Sequence, residues 1–164
     1  MDAALRFLDI LKVLAHHQAE FVIVGGVAAV LEGAPVATFD LDVVYSRAPD
    51  NTVRLAAALR ELNAAYKDPA GRRLLPDQAK LLAMRVHLLR TDHGLLDLLV
   101  RVRGDLDYLA LLDKSVEYVV DGLVLRVLRL ETVIECKRFA NRDKDRAVLP
   151  ILLRTLELKR SAGY

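Results

Sequence analysis

A single cysteine, Cys136, excludes an internal disulfide and cannot assemble a zinc cluster alone, so its expected role is that of a small apolar residue on a helix. The four histidines, His16, His17, His87 and His93, lack metal-ligand spacing and read as surface or core side chains. No stretch of roughly 18 uninterrupted apolar residues occurs, and no charged, apolar, small-residue leader opens the chain. Neither a membrane span nor a signal peptide is therefore expected, and the expected location is the cytoplasm. Internal repeats and low-complexity tracts are missing as well. Charge of one sign is also scarce, with a net value of only +2. It is unevenly placed: Arg129 to Arg160 holds nine Lys or Arg against five Asp or Glu, leaving +4 there and −2 elsewhere. That asymmetry is too mild to announce nucleic-acid binding, although it suits a site that receives polyphosphate.

What is present is ample apolar material, 54% of 164 residues, enough for one packed α/β domain spanning 1–164. Three parts are expected: an N-terminal helix over 1–19, a sheet core over 20–128 and C-terminal helices over 129–160. Leu5, Leu8, Leu11, Val13 and Leu14 recur at helical spacing up to the polar His16-His17-Gln18. Phe21 to Val24 reads as a buried strand, closed by Gly25-Gly26, after which a short helix is expected from Val27 until Gly33 and Pro35 end it. A second strand is expected over Thr38 to Tyr45. Ala48-Pro49-Asp50-Asn51 signals a turn and helix start, and Lys67 to Asp77 a surface loop. Leu82 to Leu89 and Leu95 to Val102 predict two strands about the turn Thr91 to Gly94, with a short helix over Asp105 to Leu112. A hairpin around Asp121-Gly122 follows, joining Val116 to Val120 with Leu123 to Leu128. The last segment changes to helical period, with a break near Asn141 to Asp143.

The chemistry concentrates in a few of these positions. Glycines at 25 and 26 permit close backbone approach to a ligand, and a helix start beyond them favours a phosphate. In Phe39-Asp40-Leu41-Asp42-Val43 the two carboxylates stand two apart, so a strand places both on one face, where they repel unless something positive lies between them. Asp97 stands in the apolar run Leu95-Leu96-Asp97-Leu98-Leu99 and needs a cationic partner, a metal or a raised pKa. Arg101, Arg103 and Lys137 are the candidates for a purely structural pairing. A dinucleotide fingerprint fails because Val27 stands where its second glycine is required, and no Gly-Lys-Ser or Gly-Lys-Thr supplies a P-loop.

A glycine turn, two acids on the next strand and a third acid on a later strand are the elements of magnesium-dependent phosphoryl chemistry. Gly25-Gly26, Asp40-Leu41-Asp42 and Asp97 in this order resemble the nucleotidyltransferase superfamily to which DNA polymerase beta belongs. The fuller run, Val24 to Ala29 and Thr38 to Val44, is similar to small bacterial members related to AbiEii-type toxins of toxin–antitoxin systems. Lys137 and the later Lys144-Asp145 match the basic helix and Lys-Asp element of those proteins, so the resemblance extends from about residue 20 to 156. It implies a mixed central sheet flanked by helices, an α/β (α+β) fold. It also implies Mg²⁺, with Mn²⁺ as an alternative, held by Asp40, Asp42 and Asp97. Gly25, Gly26, Thr38, Lys137 and Lys144 would bind a nucleoside triphosphate. The acceptor would be a tRNA end, a protein hydroxyl or a small alcohol, and a cognate toxin or antitoxin would be a partner. One departure stands out: many relatives carry an arginine just before the threonine, where this chain has Val36. The competing reading is a nucleotide-binding or regulatory module that kept the fold and lost turnover.

Overall fold

The computed structural model describes residues 3–164, with side chains from Arg6 onward; Met1, Asp2 and the side chain of Leu5 lie outside the described residues. Helix α1 (Ala3–His16) buries Phe7, Ile10, Leu11 and Leu14 at the spacing that puts them on one stripe. Strand β1 (Phe21–Val24) leads directly into α2 (Gly25–Leu31), which begins two residues earlier than the sequence pattern predicts. Gly25 adopts φ +65°, a conformation that costs glycine little, and so closes the strand and opens the helix in a single residue. Strand β2 (Asp40–Tyr45) starts at Asp40 rather than Thr38, whose hydroxyl instead donates to the Asp40 carbonyl at 3.1 Å. Helix α3 (Pro49–Glu61) takes proline in its first turn, where no N–H is needed.

The largest departure from expectation lies between residues 65 and 91. A two-residue strand, β3 (Ala65–Tyr66), precedes the irregular loop, and α4 (Gln78–Ala83) takes the start of the run that reads as a strand. Asp77 decides this: its carboxylate accepts the Lys80 N–H at 2.8 Å and nucleates a helical turn that apolar periodicity cannot distinguish from a short strand. Strand β4 therefore begins later, at Val86–Thr91. The run Leu95 to Val102 is also divided, into β5 (Gly94–Leu99) and β6 (Arg101–Val102), which pairs separately with β7 (Leu106–Asp107). Helix α5 (Tyr108–Leu112) is capped by Asp107. Strands β8 (Ser115–Val120) and β9 (Leu123–Leu128) form the hairpin, with Asp121 and Gly122 both at positive φ as a tight turn of this kind requires. Helices α6 (Leu130–Ala140) and α7 (Asp143–Ser161) follow, separated by Asn141 in the left-handed conformation.

Among the described residues, seven strands form one mixed sheet in the order β3-β4-β5-β2-β1-β9-β8. Strands β2 and β5 run parallel at its centre, as do β1 and β9, and the other neighbours are antiparallel. Leu41, Val43 and Tyr45 enter one face, where the Tyr45 hydroxyl donates to the Leu81 carbonyl of α4 at 2.6 Å. Helix α4 packs on α3 and α3 on α1, so these three cover that face. On the other side α2 packs on α6 and α6 on α7. Fully burying each of the Leu and Ile side chains at the centre, such as Ile10, Leu41, Leu59 and Leu96, contributes about 1.5–3 kcal/mol. A buried polar contact fixes the ends of β1, β2 and α3 together: Asn51 accepts from Glu20 N–H at 2.7 Å and donates to the Glu20 and Ser46 carbonyls.

Candidate active site

Strand register brings the three acids together. Asp42 on β2 is paired with Asp97 on β5, and the same line continues to Val24 on β1 and Leu88 on β4. Residues paired across a sheet share a face, so Asp42 and Asp97 emerge side by side, with Asp40 two residues along on the same side. The β4 end of this face is open: Val86 and Leu88 are exposed there, whereas the intervening His87 and Leu89 are buried. His87 turns to the opposite side, between the hydroxyls of Tyr45 at 3.1 Å and Tyr66 at 2.7 Å, and burial lowers its pKa. It takes no part in the acidic cluster.

The glycine pair is required by this cluster as much as by a ligand. A methyl group on Gly25 would lie 2.4 Å from Asp42 Oδ2, and one on Gly26 would lie 2.6 Å from the Thr38 hydroxyl. The start of α2 is thus pressed directly against Asp42 and Thr38, with no side chain between.

A cleft of about 520 Å³ opens over the acids, lined by Asp40, Asp42 and Asp97 and by the cations Arg103, Lys137, Arg142 and Lys144. Val86, Leu88, Leu99 and Phe139 supply apolar lining. A larger groove of about 690 Å³ runs along the second half of α7 beside Glu32, but none of the three acids reaches it. There Glu32 is already satisfied by the Tyr118 hydroxyl, the Lys159 ammonium and the Leu130 N–H.

Electrostatics distinguish the acids. Burial pushes the Asp42 carboxyl up to about 7, the charges of Asp97 and Asp40 push the same way, and Lys137 and Lys144 oppose them. Asp97 is also raised, chiefly by burial; Lys67 draws it down while Asp40 pushes it up. The partner of Asp97 is none of the cations expected for it. Lys67 Nζ lies 3.5 Å from Asp97 Oδ1. Arg103 pairs with Asp105 and Glu135, Arg101 donates to the Gly104 carbonyl, and Lys137 turns to Asp145 at 3.5 Å. Lys67 escapes sequence reasoning because it follows a strand only two residues long and its partner lies two strands away. Arg142 is the second omission: it stands at the N-cap position of α7, donates to the buried Asp145 at 2.7 Å and lines the cleft. Its signal is the Arg-x-x-Asp spacing at the helix start.

Does this donor set suit a divalent cation? Among the described residues, no three carboxylate, imidazole or thiol groups converge into a finished cage. The chemistry nonetheless fits Mg²⁺ or Mn²⁺, which bind through one or two carboxylates and complete their shells with water and substrate phosphate oxygens. Three carboxylates share one face, and the Asp42 carboxyl is pushed up first by burial and then by the charges of Asp97 and Asp40, which a cation between them would offset.

Two solved structures share the fold. A protein from Thermotoga maritima described as a candidate nucleotidyltransferase (TM1012) is 16% identical, with 92% of each chain covered and a TM-score of 0.56. The antibiotic-resistance factor ANT(2'')-Ia is 17% identical over 99% of this chain and 92% of its own, with a TM-score of 0.58. The architecture is therefore that of the nucleotidyltransferase fold, a mixed sheet flanked by helices, as the resemblance implies. No protein-family model matches the chain, and no curated protein matches it. Among the described residues no helix is long and apolar enough to cross a membrane.

Proposed function

We propose that this chain transfers a nucleoside monophosphate from a nucleoside triphosphate to a hydroxyl acceptor, with Mg²⁺ or Mn²⁺ as cofactor. The observation that carries this reading is the registration of Asp42 against Asp97, with Asp40 on the same face and Gly25 pressed against Asp42. Asp40 and Asp42 hold the cation. A bound divalent cation supplies charge stabilisation for the triphosphate and its leaving pyrophosphate. The backbone of Gly25 and Gly26, beside Thr38, receives the β- and γ-phosphates, where a side chain would obstruct them. Lys137 and Lys144, with Arg142 lining the same cleft, neutralise charge that builds on the phosphates during in-line displacement. Asp97 takes the proton of the attacking hydroxyl, and its raised affinity for protons suits that task.

The acceptor is an RNA end, a protein hydroxyl or a small alcohol; the description of one structural neighbour as an antibiotic-resistance factor keeps the last in view. The pattern from Val24 to Val44 and the Lys137 and Lys144-Asp145 elements support placing the activity in a toxin–antitoxin pair, with a cognate partner. A second reading rests on Val36, which packs against the apolar core and brings no cation to the cleft. On that reading the chain binds nucleotide without turning it over.

The test is incubation with each labelled nucleoside triphosphate, Mg²⁺, total tRNA and cell protein, with Asp40→Ala as control. Label on RNA or protein that disappears in the variant supports transfer and names the acceptor class. Nucleotide binding with no pyrophosphate released from any acceptor mixture, small alcohols included, favours the regulatory module.

A further inference from the structure

Among the described residues, Lys67 alone forms an ion pair with a member of the acidic cluster. Its side chain is only 26% exposed and that of Asp97 only 13%, so water screens the pair weakly. The lysine is also held at its root. Its N–H donates to the Leu88 carbonyl at 2.9 Å, and Leu88 is the residue paired with Asp97. The preceding Tyr66 pairs with Leu89 and bonds through its hydroxyl to His87. Lys67 therefore enters along the line that runs through Leu88, Asp97 and Asp42, and its ammonium reaches Asp97 Oδ1 at 3.5 Å. Among the described residues, the cations that line the cleft, Arg103, Lys137, Arg142 and Lys144, form no ion pair with Asp40, Asp42 or Asp97, and Lys137 is held by the buried Asp145.

We propose that Lys67 occupies at Asp97 the place of a second divalent cation, so that the site takes one cation per bound nucleotide, at Asp40 and Asp42. The inference rests on the nucleotidyl-transfer reading and narrows it. Three carboxylates carry three negative charges; one ammonium and one divalent cation balance them. A second divalent cation at Asp97 would have to share the carboxylate with an ammonium already against it, at short range and in poorly screened surroundings, where like charges repel strongly. Lys67 acts through Asp97 and is a positioning residue. It holds the carboxylate beside Asp42 while leaving the cation at the other two acids.

Counting Mn²⁺ by electron paramagnetic resonance tests this without any turnover. The protein is held in excess over α,β-methylene analogues of the four common nucleoside triphosphates, each in turn, and bound Mn²⁺ is counted per bound analogue. The expected result is one Mn²⁺ for the parent chain and for Lys67→Arg, and two for Lys67→Met, whose fold is checked by circular dichroism. Two Mn²⁺ in the parent would overturn the inference while leaving nucleotidyl transfer intact. A folded Lys67→Met that still holds one would also overturn it. If no analogue binds in the presence of Mn²⁺, the nucleotidyl-transfer reading itself fails and takes the inference with it. Should Lys67→Met not fold, the parent and Lys67→Arg counts still decide, because either reaching two contradicts the proposal.

Discussion

Gly25 approaches Asp42 so closely that a methyl group on its Cα would sit 2.4 Å from the carboxylate oxygen, and its φ of +65° disfavours any side chain independently. Gly25→Ala therefore has two effects. The left-handed conformation costs a non-glycine residue about 1–2 kcal/mol, and Asp42 must swing away from the cation position. A displacement of about 1 Å at a reacting centre lowers the rate roughly 100-fold, so kcat should fall by at least that while the protein stays folded. Steady-state kinetics with a thermal melt alongside separates the two effects.

The elevated pKa of Asp42 makes stability depend on pH in a definite direction. The cation-free folded chain binds this proton more tightly than the unfolded chain does, so the stabilisation it brings is complete at acid pH, below the ordinary carboxylate range. It is lost progressively as pH rises through about 7. The melting temperature of the cation-free protein should fall across that window, and Asp42→Asn should flatten the fall and melt several degrees higher at pH 8. Added Mg²⁺ should raise the melting temperature of the parent at pH 8 and leave Asp42→Asn nearly unchanged. Differential scanning fluorimetry across pH, with and without Mg²⁺, reads both.

Asp145 is fully buried, caps α7 through the Arg142 N–H and holds both Arg142 and Lys137. Its carboxyl lies below the usual range because these hydrogen bonds and charges outweigh burial, although burial is the largest single influence. Asp145→Ala removes a helix cap and frees two cations. A cost of about 1–3 kcal/mol follows, moderated because Arg142 remains mostly in water. The KM for nucleotide should rise as Lys137 loses its anchor. Urea denaturation and KM measurements check the two parts.

Asn51 satisfies backbone groups on two other segments from a fully buried position. Asn51→Ala takes their side-chain partner from the Glu20 N–H and the Ser46 carbonyl, while the Glu20 carbonyl keeps the Ser46 N–H, at a cost of about 1–3 kcal/mol. Activity per folded molecule should be unchanged, because the contact lies at the ends of β1 and β2 remote from the acids. Chemical denaturation together with initial rates tests this.

How much of this was legible beforehand depends on the range of the interaction. Period-two alternation is a local property, so Asp40 and Asp42 could be placed on one face from the sequence. The positions of Gly25-Gly26 and the Asp121-Gly122 turn were legible for the same reason. The pairing of Asp42 with Asp97 needed the strand order β5-β2-β1, which no local pattern specifies. Lys67 needed two further strands, one of them only two residues long. The start of β4 is not legible because Leu81-Leu82-Ala83-Met84 is equally apolar as helix or strand. A single capping carboxylate, Asp77, decided between them. The Gly25 contact with Asp42 gives the glycine a packing reason that residue type alone could not reveal.

The central claim concerns which phosphorus atom is attacked. Once an acceptor is found, matched reactions with α-labelled and γ-labelled nucleoside triphosphate decide it. The account predicts that α-label passes to the acceptor, that γ-label leaves as pyrophosphate, and that Asp40→Ala and Asp97→Asn each abolish both. Transfer of γ-label to the acceptor, or α-label transfer that survives Asp40→Ala, would contradict it.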